Sequence, residues 1–405
     1  MNRFNSLLAS FLLFGILLAA CAPQAAQTST PDVNVIVAQT MAALTAVPPA
    51  VTDPAPQPAA SLLPRSLYFL APDAAAHEQL FRLAADGATR TQLTFEPANV
   101  TAYDVNQNDG RVVYISNNQL LIVNADGSGR QTLLDGGAQD ANNPFLNAVQ
   151  GAAWSPDGET IAYGFGGLNL YSVATGVSNR VLDNKIRAVD DQFKFPDELY
   201  WPDRFSPDGT KLLITLGYYE GASAAIYTPA GNSLTRLSGA EGALICCNEE
   251  EWTADSSALY AANPSMGMFN SGLWRIDAST GQVTTLIPGD AGNGSFNFAD
   301  APFLAPDGWL YFFFASRPAA NETGGREALQ LVRASADGAA GHSTLLPDVF
   351  DKMTEALWAP DASFVIVASA VNEQMYLGGQ AELVYVDGRP RVTLVPYARA
   401  MKWGP

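Results

Sequence analysis

The chain has 405 residues, of which 48% are hydrophobic and 15% are charged. Its 40 acidic and 22 basic residues give a formal charge of -18 at pH 7. Binding to nucleic acid needs clustered Lys and Arg, so this charge argues against a nucleic-acid partner. The 34 Gly and 26 Pro are spread along the chain, which predicts many short elements joined by turns instead of a few long helices.

The N-terminus has the pattern of an exported protein. Arg3 is followed by an apolar stretch that runs from Leu7 to Ala20. A basic start, an apolar stretch and small residues before a break are typical of a secretory signal, and the stretch is shorter than the roughly 20 residues of a transmembrane helix. Residues 1–20 are therefore predicted to be a signal peptide.

The segment Leu18-Ala19-Ala20-Cys21 resembles the lipobox of bacterial lipoproteins. That resemblance implies cleavage before Cys21 and attachment of a lipid (diacylglycerol, palmitate) at its thiol. The protein is then expected to be anchored to a membrane by lipid, facing the periplasm or the cell exterior. The alternative is an ordinary secretory signal with an incidental cysteine, which would leave the mature protein freely soluble.

Residues 21–64 are predicted to form a tether. They are rich in Ala, Pro and Thr, a composition that favours an extended, semi-rigid spacer. Apolar residues between Val33 and Leu44 fall at helical spacing. They indicate either a short helix that contacts the lipid surface or the domain, or a transient helix without a role.

From residue 65 onward the chain repeats one pattern about every 50 residues. An apolar strand ends in an aromatic or apolar residue, a turn follows, and a second apolar strand begins. Pro presets φ in such a turn and Gly accepts positive φ. The copies read Trp154-Ser-Pro-Asp157-Gly, Phe205-Ser-Pro-Asp208-Gly, Trp252-Thr-Ala-Asp255, Leu304-Ala-Pro-Asp307-Gly and Trp358-Ala-Pro-Asp361, with a looser copy at Asp109-Gly110.

This repeat predicts an all-β fold, a single β-propeller of four-stranded blades over residues 65–405. We count seven blades, with six as the alternative. Six are complete, and the seventh is split: residues 66–95 supply three strands and residues 398–405, which contain Trp403, supply the first strand. The C-terminal strand would thus complete the first blade and close the ring, which removes exposed sheet edges.

The repeats resemble those of TolB-like propellers, also described as WD-repeat-like, over essentially residues 65–405. The resemblance implies a periplasmic or surface propeller that serves as a binding platform. The separate N-terminal α/β domain of TolB itself has no counterpart here.

No catalytic, metal or cofactor site is predicted. His77 and His342 stand alone in the sequence, and the adjacent Cys246 and Cys247, expected to be free thiols, have no nearby His to complete a zinc site. Residues 104–110 alternate oxygen side chains as calcium loops do, but Ile115 stands where such a loop has its Glu. A longer version of the repeat turn is the simpler interpretation.

The densest acidic run contains two ligand-binding candidates. Glu249 and Glu251 lie just before Trp252 on a first strand, which lines the central channel of a propeller, and alternation puts them on the same side. The run predicts either a channel site for a cation or basic ligand, or a solvated strand end. Paired carboxylates could also serve glycan hydrolysis.

Connection lengths predict which face binds. In a four-stranded blade the first-to-second and third-to-fourth turns share one face, here called the short-turn face, and the remaining connections share the other, the long-loop face. The long connections, at 183–198, 217–223, 263–271, 315–327 and 371–381, all belong to the long-loop face. Their aromatic, apolar and charged residues predict the partner site there, or else local packing clusters. The binding candidates are Tyr218, Tyr219, Glu220, Met266, Met268 and Phe269.

Three functions remain open at this stage. The first is a monomeric, non-enzymatic binding or scaffold module for a protein, peptide or carbohydrate, without cofactor. The second is an enzyme or substrate-capture component that acts on glycans or peptides through an acidic central channel. The third is a purely structural envelope protein.

Overall fold

The computed structural model describes residues 61–239, 250–265, 270–318, 327–338, 341–372, 375 and 377–405. Their regular structure is almost entirely β, because the two 3-10 turns at Pro144–Leu146 and Pro229–Gly231 are the only helical segments among them. The strands are β1 Leu67–Pro72, β2 Glu78–Leu83, β3 Arg90–Gln92, β4 Val100–Val105, β5 Val112–Ser116, β6 Gln119–Val123, β7 Gln131–Asp135, β8 Gln150–Trp154, β9 Thr160–Gly164, β10 Gly167–Ser172, β11 Val177–Asp183, β12 Lys185–Ala188, β13 Lys194–Phe205, β14 Leu212–Gly217, β15 Ala222–Thr228, β16 Ser233–Arg236, β17 Ser238–Gly239, β18 Glu250–Trp252, β19 Ala258–Asn263, β20 Gly272–Asp277, β21 Gln282–Pro288, β22 Ser295–Leu304, β23 Trp309–Pro318, β24 Gln330–Ser335, β25 Ser343–Thr344, β26 Met353–Trp358, β27 Phe364–Ser369, β28 Gly379–Tyr385 and β29 Val392–Trp403.

These strands form six sheets. Strands β4–β7, β8–β11 and β22–β25 each make a four-stranded sheet in chain order. The sheet β13–β16 gains β12 beside β13, and the sheet β18–β21 gains β17, which pairs parallel to β21. The sixth sheet has seven strands in the order β26-β27-β28-β29-β1-β2-β3.

Strand β29 belongs to two four-stranded sets. Its first part pairs with β28, where Ala398 lies opposite Gly379, and its last part pairs with β1, where Trp403 lies opposite Leu67. The seven-stranded sheet therefore comprises the sets β26–β29 and β29–β3, which share this strand of 12 residues. Within each set, as in the other sheets, the strands lie side by side from first to fourth, and in every set except β29–β3 a repeat turn joins the first strand to the second.

The turn motif has a side-chain explanation. In the copy after β13, the Ser206 hydroxyl donates to the Asp208 carboxylate at 2.7 Å and accepts from the Lys211 N–H at 3.0 Å. The copy after β18 repeats this pattern with Thr253 and Asp255, at 2.7 Å. These bonds and those from Ser257 lower the pKa of Asp255 to about 2. A hydroxyl residue followed two positions later by Asp therefore closes the turn between first and second strands.

The core is distributed between successive four-stranded sets. Seven clusters of buried side chains each combine residues of two sets that follow one another along the chain. The last cluster joins β27 of the final set to β1 of the first, so the packing order returns to its start. Representative pairs are Leu80 with Tyr114, Ile115 with Trp154, Leu168 with Leu212, Ile226 with Leu259, Tyr260 with Phe312, Phe313 with Trp358, and Ile366 with Leu67.

The described chain enters this fold on the short-turn face. The Leu63 N–H donates to the Ala85 carbonyl at 2.9 Å, the Ser61 hydroxyl donates to the same carbonyl at 3.0 Å, and Leu63 is buried. Ala85 lies in the turn between β2 and β3, which are the third and fourth strands of the set that begins with β29. The long loops connect strands at the opposite face.

The prediction of a long loop over residues 183–198 is wrong. This segment contains β12 and the start of β13, which pair as an antiparallel hairpin with Arg187 opposite Phe195. Its charged residues are consistent with a solvated hairpin, and Lys185 contacts Glu198 at 2.6 Å. The predicted loop at 217–223 is also shorter than expected, since only residues 218–221 lie between β14 and β15.

Because β29 completes two sets, its inner end should control stability. Deleting residues 398–405 removes the pairing with β1 and the buried side chains of Ala398 and Met401. We expect the truncated protein to lose its cooperative thermal unfolding transition, as measured by circular dichroism. Met401→Ala, a milder change, should cost about 2–5 kcal/mol of unfolding free energy. Removal of the exposed Pro405 alone is the control, and an unchanged melting curve after the longer deletion would contradict this role.

Candidate functional site

First strands from several sheets converge on a cavity of about 380 Å³, here called the central cavity. Strands β13, β18, β22, β26 and β29 all contribute to its wall. The lining mixes charged, polar and apolar groups, so it suits a ligand that carries both polar and apolar parts. Its residues are Arg204, Glu251, Pro264, Asp300, Ala301, Pro302, Thr354, Glu355, Ala356, Leu357, Trp358, Leu377, Gly378, Arg399, Ala400, Met401 and Lys402.

The cations at this cavity are paired with acids on other strands. Arg204 on β13 contacts Glu251 on β18 at 3.0 Å. Lys402 on β29 contacts Asp104 on β4 at 2.9 Å. Arg399 makes two contacts to Glu78, which begins β2. Because these pairs join separate strands, they fix the relative positions of the strand ends that surround the cavity.

Glu355 occupies a backbone anion site. Its carboxylate accepts the N–H of Ala400 at 2.7 Å and also that of Met401. Ala400 has φ of 49°, a left-handed conformation that turns two successive N–H groups to the same side, as in anion-binding nests. The Ala400 carbonyl accepts the Tyr103 hydroxyl from the next sheet. The backbone of β29 at Ala400 is thus bonded by Glu355 through its N–H group and by Tyr103 through its carbonyl.

Carboxylates around the cavity have raised pKa values. Burial raises the pKa of Glu251 against the lowering effect of Arg204, and burial raises the pKa of Glu355 against bonds from the Met401 and Ala400 N–H groups. Asp203 touches solvent beside the cavity, yet the protein around it desolvates the charge and raises its pKa despite Arg204 and Lys402. A carboxylate that touches solvent but is surrounded by protein is expected beside an internal space that water can enter.

The lining of the central cavity reaches the long-loop face. Pro264 follows β19, while Leu377 and Gly378 precede β28, so all three belong to second-to-third connections. Leu377 is 65% exposed and stands at this rim. A ligand that contacts the long loops could therefore reach the paired charges below them.

The predicted loop residues Tyr218, Tyr219 and Glu220 lie between β14 and β15 on the long-loop face. Tyr219 is 57% exposed and stacks on Phe195 of the β12–β13 hairpin, with ring centroids 4.9 Å apart. The structure thus brings Tyr219 to a hairpin that the sequence had suggested was a loop.

Other predicted residues have mixed outcomes. Glu251 lies at the central cavity, where Arg204 pairs with it. Glu249, Met266, Met268, Phe269, the lipidation candidate Cys21 and the pair Cys246–Cys247 lie outside the described residues.

Sequence reasoning missed Arg204, Glu355, Arg399 and Lys402. Three of them stand just before a turn motif: Arg204 precedes Phe205, Glu355 precedes Trp358 by three positions, and Lys402 precedes Trp403. An alignment of the repeat copies would have placed these charges together at the ends of the first strands.

A second cavity, of about 680 Å³, lies on the long-loop face. It is bounded by the turn between β5 and β6 and by the connection from β7 to β8, and here it is called the amide cavity because side-chain amides dominate its polar lining. Its residues are Ala98, Asn99, Thr101, Ile115, Asn117, Asn118, Gln119, Asp135, Gly137, Ala138, Gln139 and Val149.

Within the part of the chain that the structure describes, no group of three or more His, Cys, Asp or Glu side chains is arranged to hold a metal ion. The same part contains no helix that is long and apolar enough to span a membrane.

No known protein family and no curated protein matches the sequence. Solved structures resemble the fold at low identity. A puromycin hydrolase mutant complexed with PGG has 14% identity and a TM-score of 0.52 over 84% of this chain and 53% of that chain. Oligogalacturonate lyase in complex with manganese has 12% identity and a TM-score of 0.50 over 81% and 84%. TolB from Acinetobacter baumannii has 16% identity and a TM-score of 0.42 over 84% and 82%.

At these identities the likeness shows the fold alone. The protein is all-β and built mainly of antiparallel sheets, and its fold resembles the folds of the puromycin hydrolase mutant and the oligogalacturonate lyase. This chain spans about half the length of the puromycin hydrolase, 53%. These neighbours do not separate binding from catalysis for this chain.

The raised pKa of Asp203 predicts how stability depends on pH. A carboxyl whose folded pKa lies above its unfolded value binds more protons in the folded state across that interval, so stability falls as pH rises through it. We expect the melting temperature to rise when pH is lowered from neutral toward the ordinary carboxyl range. Carboxyls with a lowered pKa, such as Asp255 at about 2, reduce stability when they are protonated, and this happens only when the pH falls below that range.

Asp203→Asn should raise the melting temperature at neutral pH and flatten this pH dependence. The measurement is thermal unfolding at a series of pH values. Asp183→Asn, which changes an exposed carboxylate on β11, is the matched control. An identical pH profile for Asp203→Asn and the unmodified protein would contradict the expectation.

Proposed function

We propose that this protein is an exported lipoprotein whose seven-bladed β-propeller acts as a non-enzymatic binding module for a protein, peptide or carbohydrate on its long-loop face. The seven blades would be the sets β29–β3, β4–β7, β8–β11, β13–β16, β18–β21, β22–β25 and β26–β29. The cyclic order of the seven core clusters and the pairing of β29 with β1 support a closed ring.

One observation carries the assignment of the binding face. Leu63 and Ser61 bond to Ala85, so the chain enters the domain on the short-turn face. If Cys21 carries a lipid, the tether reaches the domain from that side. The long-loop face, with both cavities and the exposed Tyr219, is then directed away from the point of attachment.

A specific observation supports the alternative of an enzyme or substrate-capture component that acts on glycans or peptides. Glu251 and Glu355 line one cavity, Asp203 lies beside it, and burial raises the pKa of all three. Perturbed carboxyls in a cavity are typical of general acid and base groups. The pairing of Glu251 with Arg204 and the bonding of Glu355 to backbone N–H groups also explain these residues as structural supports.

The face assignment can be tested by photo-crosslinking in the native envelope. A diazirine amino acid at Leu377, on the long-loop rim, should capture a specific partner that mass spectrometry can identify. The same group at Trp309, which is 41% exposed and starts β23 on the short-turn face, should not capture it. Capture at Trp309 instead would overturn the assignment. Turnover of a glycan or peptide panel that is lost in Glu251→Gln would favour the enzyme.

The tether can be tested separately. Cys21→Ala should release the protein from membranes into the soluble fraction, because a lipid chain contributes membrane affinity through its buried methylene groups. Fractionation followed by immunoblotting measures this, with Cys246→Ala as the control that keeps the N-terminal cysteine. A Cys21→Ala protein that still partitions with membranes would show that the anchor is something else.

A further inference from the structure

We propose that the long-loop face carries a groove for a neutral oligosaccharide, formed by the amide cavity and by a column of aromatic rings on the β12–β13 hairpin. This inference names the ligand class within the proposed function and rests on that function. Four features support it: free amide groups, a rigid rim, an exposed ring platform and the charge of the surroundings.

The amide cavity presents groups that match sugar hydroxyls. The side chains of Asn117, Gln119 and Gln139 line it, and none of the three bonds to another group among the described residues. A side-chain amide offers both donors and an acceptor, and a sugar hydroxyl also both donates and accepts. A groove of this kind can therefore pair with several hydroxyls without a fixed charge.

The rim of this cavity is held in place by other amides. Asn118 donates to the Gly137 carbonyl at 2.9 Å and accepts the Val149 N–H at 2.8 Å. Asn147 donates to the Gly136 carbonyl at 2.9 Å. The long connection from β7 to β8 is thus bonded to the tight turn between β5 and β6. A rim fixed before binding lowers the ordering cost that a weakly held ligand must overcome.

The aromatic column gives the groove a flat apolar platform. Arg187 lies 4.7 Å from the centre of the Phe195 ring, and Tyr219 stacks on Phe195 at 4.9 Å with 24° between the ring planes. The Tyr219 side chain is supported on one side and is 57% exposed. An exposed ring of this kind can pack against the C–H face of a sugar while its hydroxyl stays in water.

The cavity and the column belong to one bonded surface. Asn143, in the connection that borders the amide cavity, donates to the Gln192 carbonyl at 2.8 Å and accepts the Lys194 N–H at 2.7 Å. Phe193, between these two residues, meets Tyr219 edge-on at 6.2 Å. An oligosaccharide that extends along this connection would contact both the amide cavity and the aromatic column.

The surroundings select a neutral glycan. Asp135 lines the cavity, and Asp190, Asp191 and Glu220 stand on the hairpin and the adjoining turn. In a chain of formal charge -18 these carboxylates repel uronic acids but still accept bonds from hydroxyls. Protein partners usually insert an apolar anchor into a pocket, whereas the amide cavity is lined mainly by polar and small residues.

The test uses the full mature protein and titration calorimetry against cellohexaose, xylohexaose, mannohexaose, maltohexaose and chitohexaose, with an oligogalacturonate of matched length as the anionic probe. We expect at least one neutral probe to bind and the oligogalacturonate to bind more weakly. Tyr219→Ala should weaken that binding about tenfold, and Tyr219→Phe should largely retain it. The double change Gln119→Ala and Gln139→Ala should weaken it about tenfold as well.

Trp309→Ala is the matched control, because Trp309 is also an exposed ring beside an arginine, Arg333 at 4.9 Å, but lies on the short-turn face. It should leave binding unchanged, and thermal unfolding should show that each variant is folded. Failure of every neutral probe to bind, or binding that Tyr219→Ala leaves intact, overturns the inference. A protein captured at Leu377 without glycan binding would overturn it while leaving the proposed function in place.

Discussion

The pairing of β29 with both β28 and β1 is the interaction on which the rest of the structure depends. One strand supplies the fourth strand of one set and the first strand of another, so the ends of the described chain meet within a sheet. Groups from two other strands, β26 and β4, then hold its inner end: Glu355 binds the N–H groups of Ala400 and Met401, Tyr103 binds the Ala400 carbonyl, and Asp104 pairs with Lys402. The wall of the central cavity is therefore made by the same contacts that join the first and last sets.

The sequence was sufficient to predict the strands that flank repeat turns. The hydroxyl-to-Asp bond at Ser206 and Asp208 is local, so it leaves a readable motif, and the strands on either side follow from it. The charges that meet in the central cavity leave no such motif. Arg204 and Glu251 are far apart in sequence and meet only because successive first strands converge. Their partnership depends on the packing of whole sheets, which no local pattern encodes.

The β12–β13 hairpin shows a second limit of sequence reasoning. Its strands are too rich in charge for apolar alternation to reveal them, and their stability comes from contacts at longer range. Burial alone would raise the pKa of Glu198, but bonds from Arg236 and Lys185 lower it to about 2. Arg236 belongs to β16, on the far side of the sheet from β12. The hairpin is thus joined to the sheet by an ion pair whose carboxylate is buried and whose cations are about half exposed.

The two faces of the fold differ in how freely their sequence can vary. Turns on the short-turn face depend on bonds from particular residues, as in Thr253 with Asp255, so length and composition there are constrained. Second-to-third connections differ more from set to set: the turn between β5 and β6 has two residues, Asn117 and Asn118, while other sets carry a stacked Tyr219 or a longer rim at Leu377. The differences between sets are therefore concentrated on the long-loop face. Since chain entry at Ser61 and Leu63 uses the other face, the variable surface is also the one left open for a ligand.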